Sequence, residues 1–189
     1  MSGRWLHYLW LAYLSKPKGE RLLFRLIKKH PTRSIVEIGV GNLDRALRIV
    51  DFARQFVPNG ELTYTGIDLF EGRQDPTTGI SFKEAHGLLK QVDAKTKLIP
   101  GDPFSALARS ANGLAGTDLV LIASDVDSTQ MQQAWAFLPR MLHDETLVIE
   151  ERRIEGEEGE PDEHEYVLLT SHEIRERAGD KAQHIAKAA

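Results

Sequence analysis

Five continuous apolar runs alternate with helical patterns along this chain, and that alternation decides what it can fold into. The runs cover residues 34–38, 62–67, 96–99, 118–123 and 145–150. A strand that is apolar along its whole length must be covered on both faces, and parallel sheets meet that demand with helices above and below. Residues 43–57 carry Leu43, Ala46, Leu47, Val50 and Ala53 on one helical stripe. Further helices are predicted over 80–92, over 103–111, where Pro103 suits a first helical position, and over 128–142. The fold class is therefore α/β: a doubly wound, mostly parallel Rossmann-like sheet with helices on both faces, added N-terminal helices and a short C-terminal part.

Around this frame, residues 1–30 are expected to be helices packed on the domain, 31–180 the domain itself and 181–189 a disordered tail. Residues 20–30 show an apolar face of Leu22, Leu23, Leu26 and Ile27, stopped by Pro31. The first segment, residues 4–15, is too short to span a membrane. Its aromatics allow three placements: on the domain or on a second subunit as a homodimer contact, on a membrane surface, or as a targeting segment. Trp5, Leu6, Leu9 and Tyr13 are expected to be covered by the domain or by a second subunit. The acid-rich stretch 151–165 reads as a solvated loop, and 165–169 as one more strand. Thr170 and Glu173 form a capping box for a short helix.

Composition narrows the chemistry. The 189 residues include no cysteine, which removes disulfides, zinc–thiolate sites and thiol catalysis and suits a cytoplasmic protein. A net charge of -4 offers no basic field to nucleic acid.

Ligands of doubly wound sheets bind at the carboxyl ends of the strands. The residues there are Gly39 and Gly41, then Asp68, Asp102, Asp125 and Asp127, and finally Glu150 and Glu151. A pyrophosphate seat needs free amides and an unobstructed helix start. Here Leu43 narrows the turn and Asp44 stands where the third glycine of a dinucleotide fingerprint would be. The row suits a ligand with a cationic centre and hydroxyls.

VEIGVGNL, with Glu37, Gly39 and Gly41, resembles the first motif of the class I S-adenosylmethionine-dependent methyltransferases, departing from it at Leu43. GIDLFEGR is similar to the D-x-F-E-G stretch of macrocin O-methyltransferase-like enzymes, through Asp68, Phe70, Glu71 and Gly72. The resemblance implies S-adenosylmethionine as cofactor. It places Glu37 near the methionine amino group and the glycines along the cofactor. It puts Asp68 on the ribose hydroxyls with Leu69 beside it, and Asp102 with Pro103 near the adenine. It implies a small-molecule acceptor, most simply a hydroxyl.

Metal-assisted members carry an F-I-D-x-D-H string after the fourth strand and an acidic pair after the fifth. This chain reads LIASDVD, with Ala123 at the metal aspartate and Val126 at the histidine. Asp125, Glu150 and Glu151 remain as weak candidates for Mg2+, and Asp125 is the candidate base. His86, His143, His164 and His172 are expected at the surface; His164 or His172 reaches the site only if the C-terminal segment folds over it. Complete methyltransferase sheets have seven strands, so this one is expected to stop at six or to pair a strand from the acidic stretch. The alternative to an active enzyme is a protein of the same fold that binds cofactor or a partner without catalysis.

Overall fold

A computed structural model describes residues 9–14, 18–58, 60–73, 75, 79–154, 156 and 163–187, with side chains through residue 179. Six strands form one sheet: β1 (Ser34–Ile38), β2 (Thr63–Asp68), β3 (Lys95–Pro100), β4 (Thr117–Ile122), β5 (Leu142–Ile154) and β6 (Glu163–Leu168). Their order is β3-β2-β1-β4-β5-β6. The first five are parallel, and β6 runs antiparallel to β5. This is the doubly wound, mostly parallel sheet read from the alternation, and the described residues supply six strands rather than seven.

The helices are α1 (Arg21–Lys29), α2 (Asp44–Ala53), α3 (Phe82–Leu89), α4 (Pro103–Ser110), α5 (Ser128–Ala134) and α6 (Ser171–Lys187). Successive strand residues point to opposite faces, so each strand feeds two cores. Ile35, Leu119, Leu121 and Ile149 join Leu23, Phe24, Ile27, Ile49 and Phe52 on one side. Val36, Ile38, Val120, Ile122 and Val148 join Leu107, Trp135, Leu138 and Ile174 on the other. Leu11, from a π-helical turn at Trp10–Leu14, belongs to the first core and fastens the N-terminal segment to the domain. On that turn Leu11 and Ala12 are buried, whereas Trp10, Tyr13 and Leu14 are exposed. Of the two covers expected for Tyr13, the domain or a second subunit, the domain does not supply one. Trp5 and Leu6 lie outside the described residues. Among the described residues no helix is long and apolar enough to cross a membrane.

Three elements differ from expectation for identifiable reasons. β5 continues to Ile154 because β6 pairs with its far half, from Ile149 opposite Leu168 to Ile154 opposite Glu163. The start of the acid-rich stretch is therefore strand. The helix after β4 stops at Ala134 and tightens into a 3-10 segment, Trp135–Arg140, which contains Pro139. A ring without an N–H cannot continue the α-helical ladder. The last helix is long: the Thr170–Glu173 box forms as read, and α6 then runs to Lys187, over most of the span expected as a disordered tail.

Candidate functional site

The turn after β1 is built around close approaches. Gly39 has φ +85°, and a Cβ there would lie 2.7 Å from both Ala123 Cβ and Val126 Cγ2 of the loop after β4. Only glycine lets these two strand ends meet. Gly41, at φ +61°, is different: nothing stands within 4 Å of where its Cβ would be, so the turn presents an open face there. Leu43 closes the turn at φ 73° and is wholly buried in the first core. Left-handed backbone costs a non-glycine residue about 1–2 kcal/mol, which its burial offsets. Asp44 opens α2 with its carboxylate held by Asn42 Nδ2 at 2.7 Å.

The amides that a phosphate would occupy are already taken. Val40 N–H and Gly41 N–H both donate to Asp68 Oδ2, at 2.7 and 3.2 Å. Asp68 Oδ1 accepts from Phe70 N–H at 2.8 Å. Arg73 completes the set with Nε on Oδ1 at 2.9 Å and Nη2 on Oδ2 at 2.5 Å. Burial raises the Asp68 pKa, but these bonds outweigh it and hold the carboxyl below its usual range. Arg73 also donates through Nη1 to Asp125 Oδ2 at 2.7 Å. It thus bridges the ends of β2 and β4.

These groups line a cleft of about 340 Å³ that runs over the ends of β1–β4 past Gly39, Leu69, Asp102 and Pro103. Its polar wall is acidic, with Arg73 as its counterion. Asp102 there is also the N-cap of α4, accepting from Ser105 N–H at 2.9 Å. A second depression of about 550 Å³ adjoins it through Gly39 and Asp125. Val40, Gly41, Arg45, Arg48, Ser124, Glu151 and His164 line it.

Glu37 does not line either depression; it lies beneath them, 1% exposed. Tyr64 OH donates to its Oε2 at 2.6 Å and Arg45 Nε to its Oε1 at 2.7 Å. Burial raises its pKa against the pull of Arg45 and Tyr64. Its part is to fix Arg45, which then reaches upward: Nη2 to Gly39 O at 3.0 Å and Nη1 to Glu151 Oε2 at 2.7 Å. Arg45 thereby links the buried Glu37 to Glu151, which lines the second depression.

The three carboxylates considered for Mg2+ are not metal ligands in this arrangement. Asp125 pairs with Arg73, Glu150 with Arg152 and Arg177, and Glu151 with Arg45. Among the described residues no three acidic or histidine side chains converge as a metal site would require. The donor set does not fit the ion, because each carboxylate already has a guanidinium partner.

His164 stands inside the site, because β6 brings the C-terminal segment back over the end of β5. His143 instead pairs with Asp118 at the opposite end of the sheet. His164 thereby meets the condition set for it, whereas Arg45, Arg73, Tyr64 and Tyr166 are not among the expected site residues. The one signal for Arg45 is an arginine one position into a helix whose other inward residues are apolar.

No family model matches the chain, and no curated protein matches it. Among solved structures, the chain is similar in fold to the MycE methyltransferase of mycinamycin biosynthesis, in complex with Mg and SAH. That match has a TM-score of 0.46 and 20% identity over 79% of this chain and 35% of the other. The chain thus spans little more than a third of that protein's length. It is similar to an S-adenosylmethionine-dependent methyltransferase from Clostridium acetobutylicum, with TM-score 0.49 and 10% identity over 94% of this chain and 85% of the other. A protein-L-isoaspartate O-methyltransferase from Plasmodium falciparum gives TM-score 0.48 and 14% identity, over 83% and 72% of the two chains.

Proposed function

We propose that the chain is a cytoplasmic S-adenosylmethionine-dependent methyltransferase that transfers a methyl group to the hydroxyl of a small molecule. The observation that carries the reading is what occupies the first turn. Its two amides are bound by Asp68, so a pyrophosphate finds no donors, whereas the open face at Gly41 admits a ligand that needs closeness rather than charge. The acid-lined cleft beside it suits a cation that carries hydroxyls. The adjoining depression offers both signs, Arg48 and Arg45 with Glu151 and Asp44, which suits a zwitterionic amino-acid end. Leu69 and Pro103 give the cleft apolar walls for a flat ring.

The residues fit the cofactor on one condition: Arg73 must release at least one Asp68 oxygen to a ribose hydroxyl. When bound, the cofactor supplies an electrophilic methyl group on a sulfonium. The protein has to hold the acceptor in line and take up its proton.

Calorimetry tests the reading. We expect S-adenosylhomocysteine to bind and NAD to show no heat; tighter binding of NAD would overturn it. The same Arg73–Asp68 pair favours a second reading, a protein of this fold whose cofactor seat is filled by its own guanidinium. Failure of both ligands to bind would select that reading.

A further inference from the structure

Resting on the methyltransferase reading, we infer that His164 Nε2 is the group that takes the acceptor's proton, and that Glu151 is the positioning residue that makes it available.

The geometry of Glu151 fixes the imidazole. Its Oε2 accepts from Arg45 Nη1 at 2.7 Å and from Ser124 N–H at 3.1 Å. Its Oε1 accepts from Tyr166 OH at 2.9 Å and lies 3.1 Å from His164 Nδ1. Burial works against the charged form of Glu151, but Arg45 and the other donors win and hold its pKa below the usual range. An ionised carboxylate can only accept. The proton of a neutral His164 therefore sits on Nδ1, pointing at Glu151, and the lone pair sits on Nε2. Ser124 Oγ, 3.3 Å from the same Nδ1, shares that edge of the ring. Nε2 has no hydrogen-bond partner among the described residues, and the side chain is 38% exposed.

Position agrees with protonation. His164 lines the same depression as Val40 and Gly41. Two contacts set the position of the strand. Arg153 faces His164 across the β5–β6 pair, and a Cβ on Gly19 would overlap the His164 carbonyl oxygen. The charges around the ring are Glu151 and Arg153 on β5, Arg45 and Arg48 on α2, Glu20 on the turn before α1, and Asp125 after β4. Asp125 is the weaker acceptor because Arg73 holds its carboxylate.

The reaction balances without a further reagent. The acceptor oxygen forms a bond to the methyl carbon, and the carbon–sulfur bond breaks with its electron pair on sulfur. The hydroxyl proton passes to Nε2, leaving an imidazolium whose charge Glu151 stabilises.

Nitrogen-15 NMR of the histidine rings, with chelator present throughout, tests this on the full chain. His164→Gln assigns the His164 signals. In the free protein we expect the Nδ1–H tautomer, lost in Glu151→Gln. We expect the His164 Nε2 signal to differ between the S-adenosylmethionine and S-adenosylhomocysteine complexes, because only the former brings a sulfonium charge into the site. Equal signals with both ligands bound would overturn the inference and leave the methyltransferase reading standing. Binding of neither ligand would overturn both.

Discussion

At the scale of single residues, the site is governed by competition for Asp68. Five donors converge on two oxygens, and three of their bonds are to backbone amides that hold the turn in shape. Asp68→Ala should therefore do two things. It should weaken S-adenosylhomocysteine binding by about 2 kcal/mol, the scale of a lost charged hydrogen bond, and lower the melting temperature by freeing the turn amides. Arg73→Ala removes the competitor, together with its bridge to Asp125, and leaves the three amide bonds of Asp68 in place. The ribose then meets an Asp68 with a free lone pair, and we expect about tenfold tighter S-adenosylhomocysteine binding, or ~1.4 kcal/mol, by calorimetry. Weaker binding in Arg73→Ala would mean that the guanidinium contacts the ligand rather than displaces it. Leu43 is a separate case, where strain and burial oppose each other at one residue. Leu43→Ala keeps the left-handed backbone and loses the packing, so it should cost about 2–5 kcal/mol in urea unfolding. Leu43→Gly, which relieves the φ of 73°, should cost no more than the alanine variant although it removes more atoms.

At the scale of elements, what could be read from the sequence follows from which residues carry the information. β1, β2 and β4 were legible because they are buried on both faces and their apolar runs have no other use. The far half of β5 was not, because its residues 150–153 are Glu, Glu, Arg and Arg, which have loop composition until β6 supplies partners. The site divides in the same way. Gly39, Gly41 and Asp68 announce themselves by type and spacing. Arg45 and Arg73 do not, since an arginine in a sequence looks like surface until its carboxylates are known, and those lie as far as 106 residues away. The N-terminal turn shows the limit of pattern alone. Its apolar content was plain, but only the fold shows that Leu11 and Ala12 are the buried pair. Leu11→Ala should lower stability by about 2–4 kcal/mol, whereas Trp10→Ala, at a position 52% exposed, should shift the melting temperature little.

At the scale of the whole molecule, the carboxylates set how the protein responds to acid. Burial raises the pKa values of Asp68, Asp102, Glu150 and Glu151. Hydrogen bonds from Arg73 to Asp68, from the Ser105 amide to Asp102 and from Arg177 to Glu150, with the Arg45 charge beside Glu151, outweigh burial and hold these four carboxyls below their ordinary range. Each binds fewer protons folded than unfolded at mildly acidic pH. Each therefore contributes stability that is fully present above its unfolded pKa and is lost as pH falls through the folded value. Glu37 has the opposite sign. Burial raises its pKa above 4.5, so its ionised form opposes folding, and protonating it as pH falls towards 4.5 recovers stability. Glu37 acts above the ordinary glutamate value and these four act below theirs, joined by the exposed Glu84 and Glu173, whose carboxyls Ser81 and Thr170 hold low. Urea midpoints should change little between pH 7 and about 5, then fall steeply from about pH 4.5 downward. Glu151→Gln removes one of the four and, with it, the anion that Arg45, Ser124, Tyr166 and His164 share. That variant should be less stable at pH 7 and show a shallower acid slope, so its curve and the parent's approach each other as pH falls below the ordinary glutamate range. Parallel curves down to pH 3 would mean that Glu151 is not the acid-sensitive link between the first turn and the last strand. The same linkage makes acid a probe of the site. As Glu151 protonates, one oxygen becomes an O–H donor and the bonds from its donors lose their charge assistance, so β6, which holds His164 over the glycine turn, is tied less strongly to the sheet at the point where the chemistry needs it.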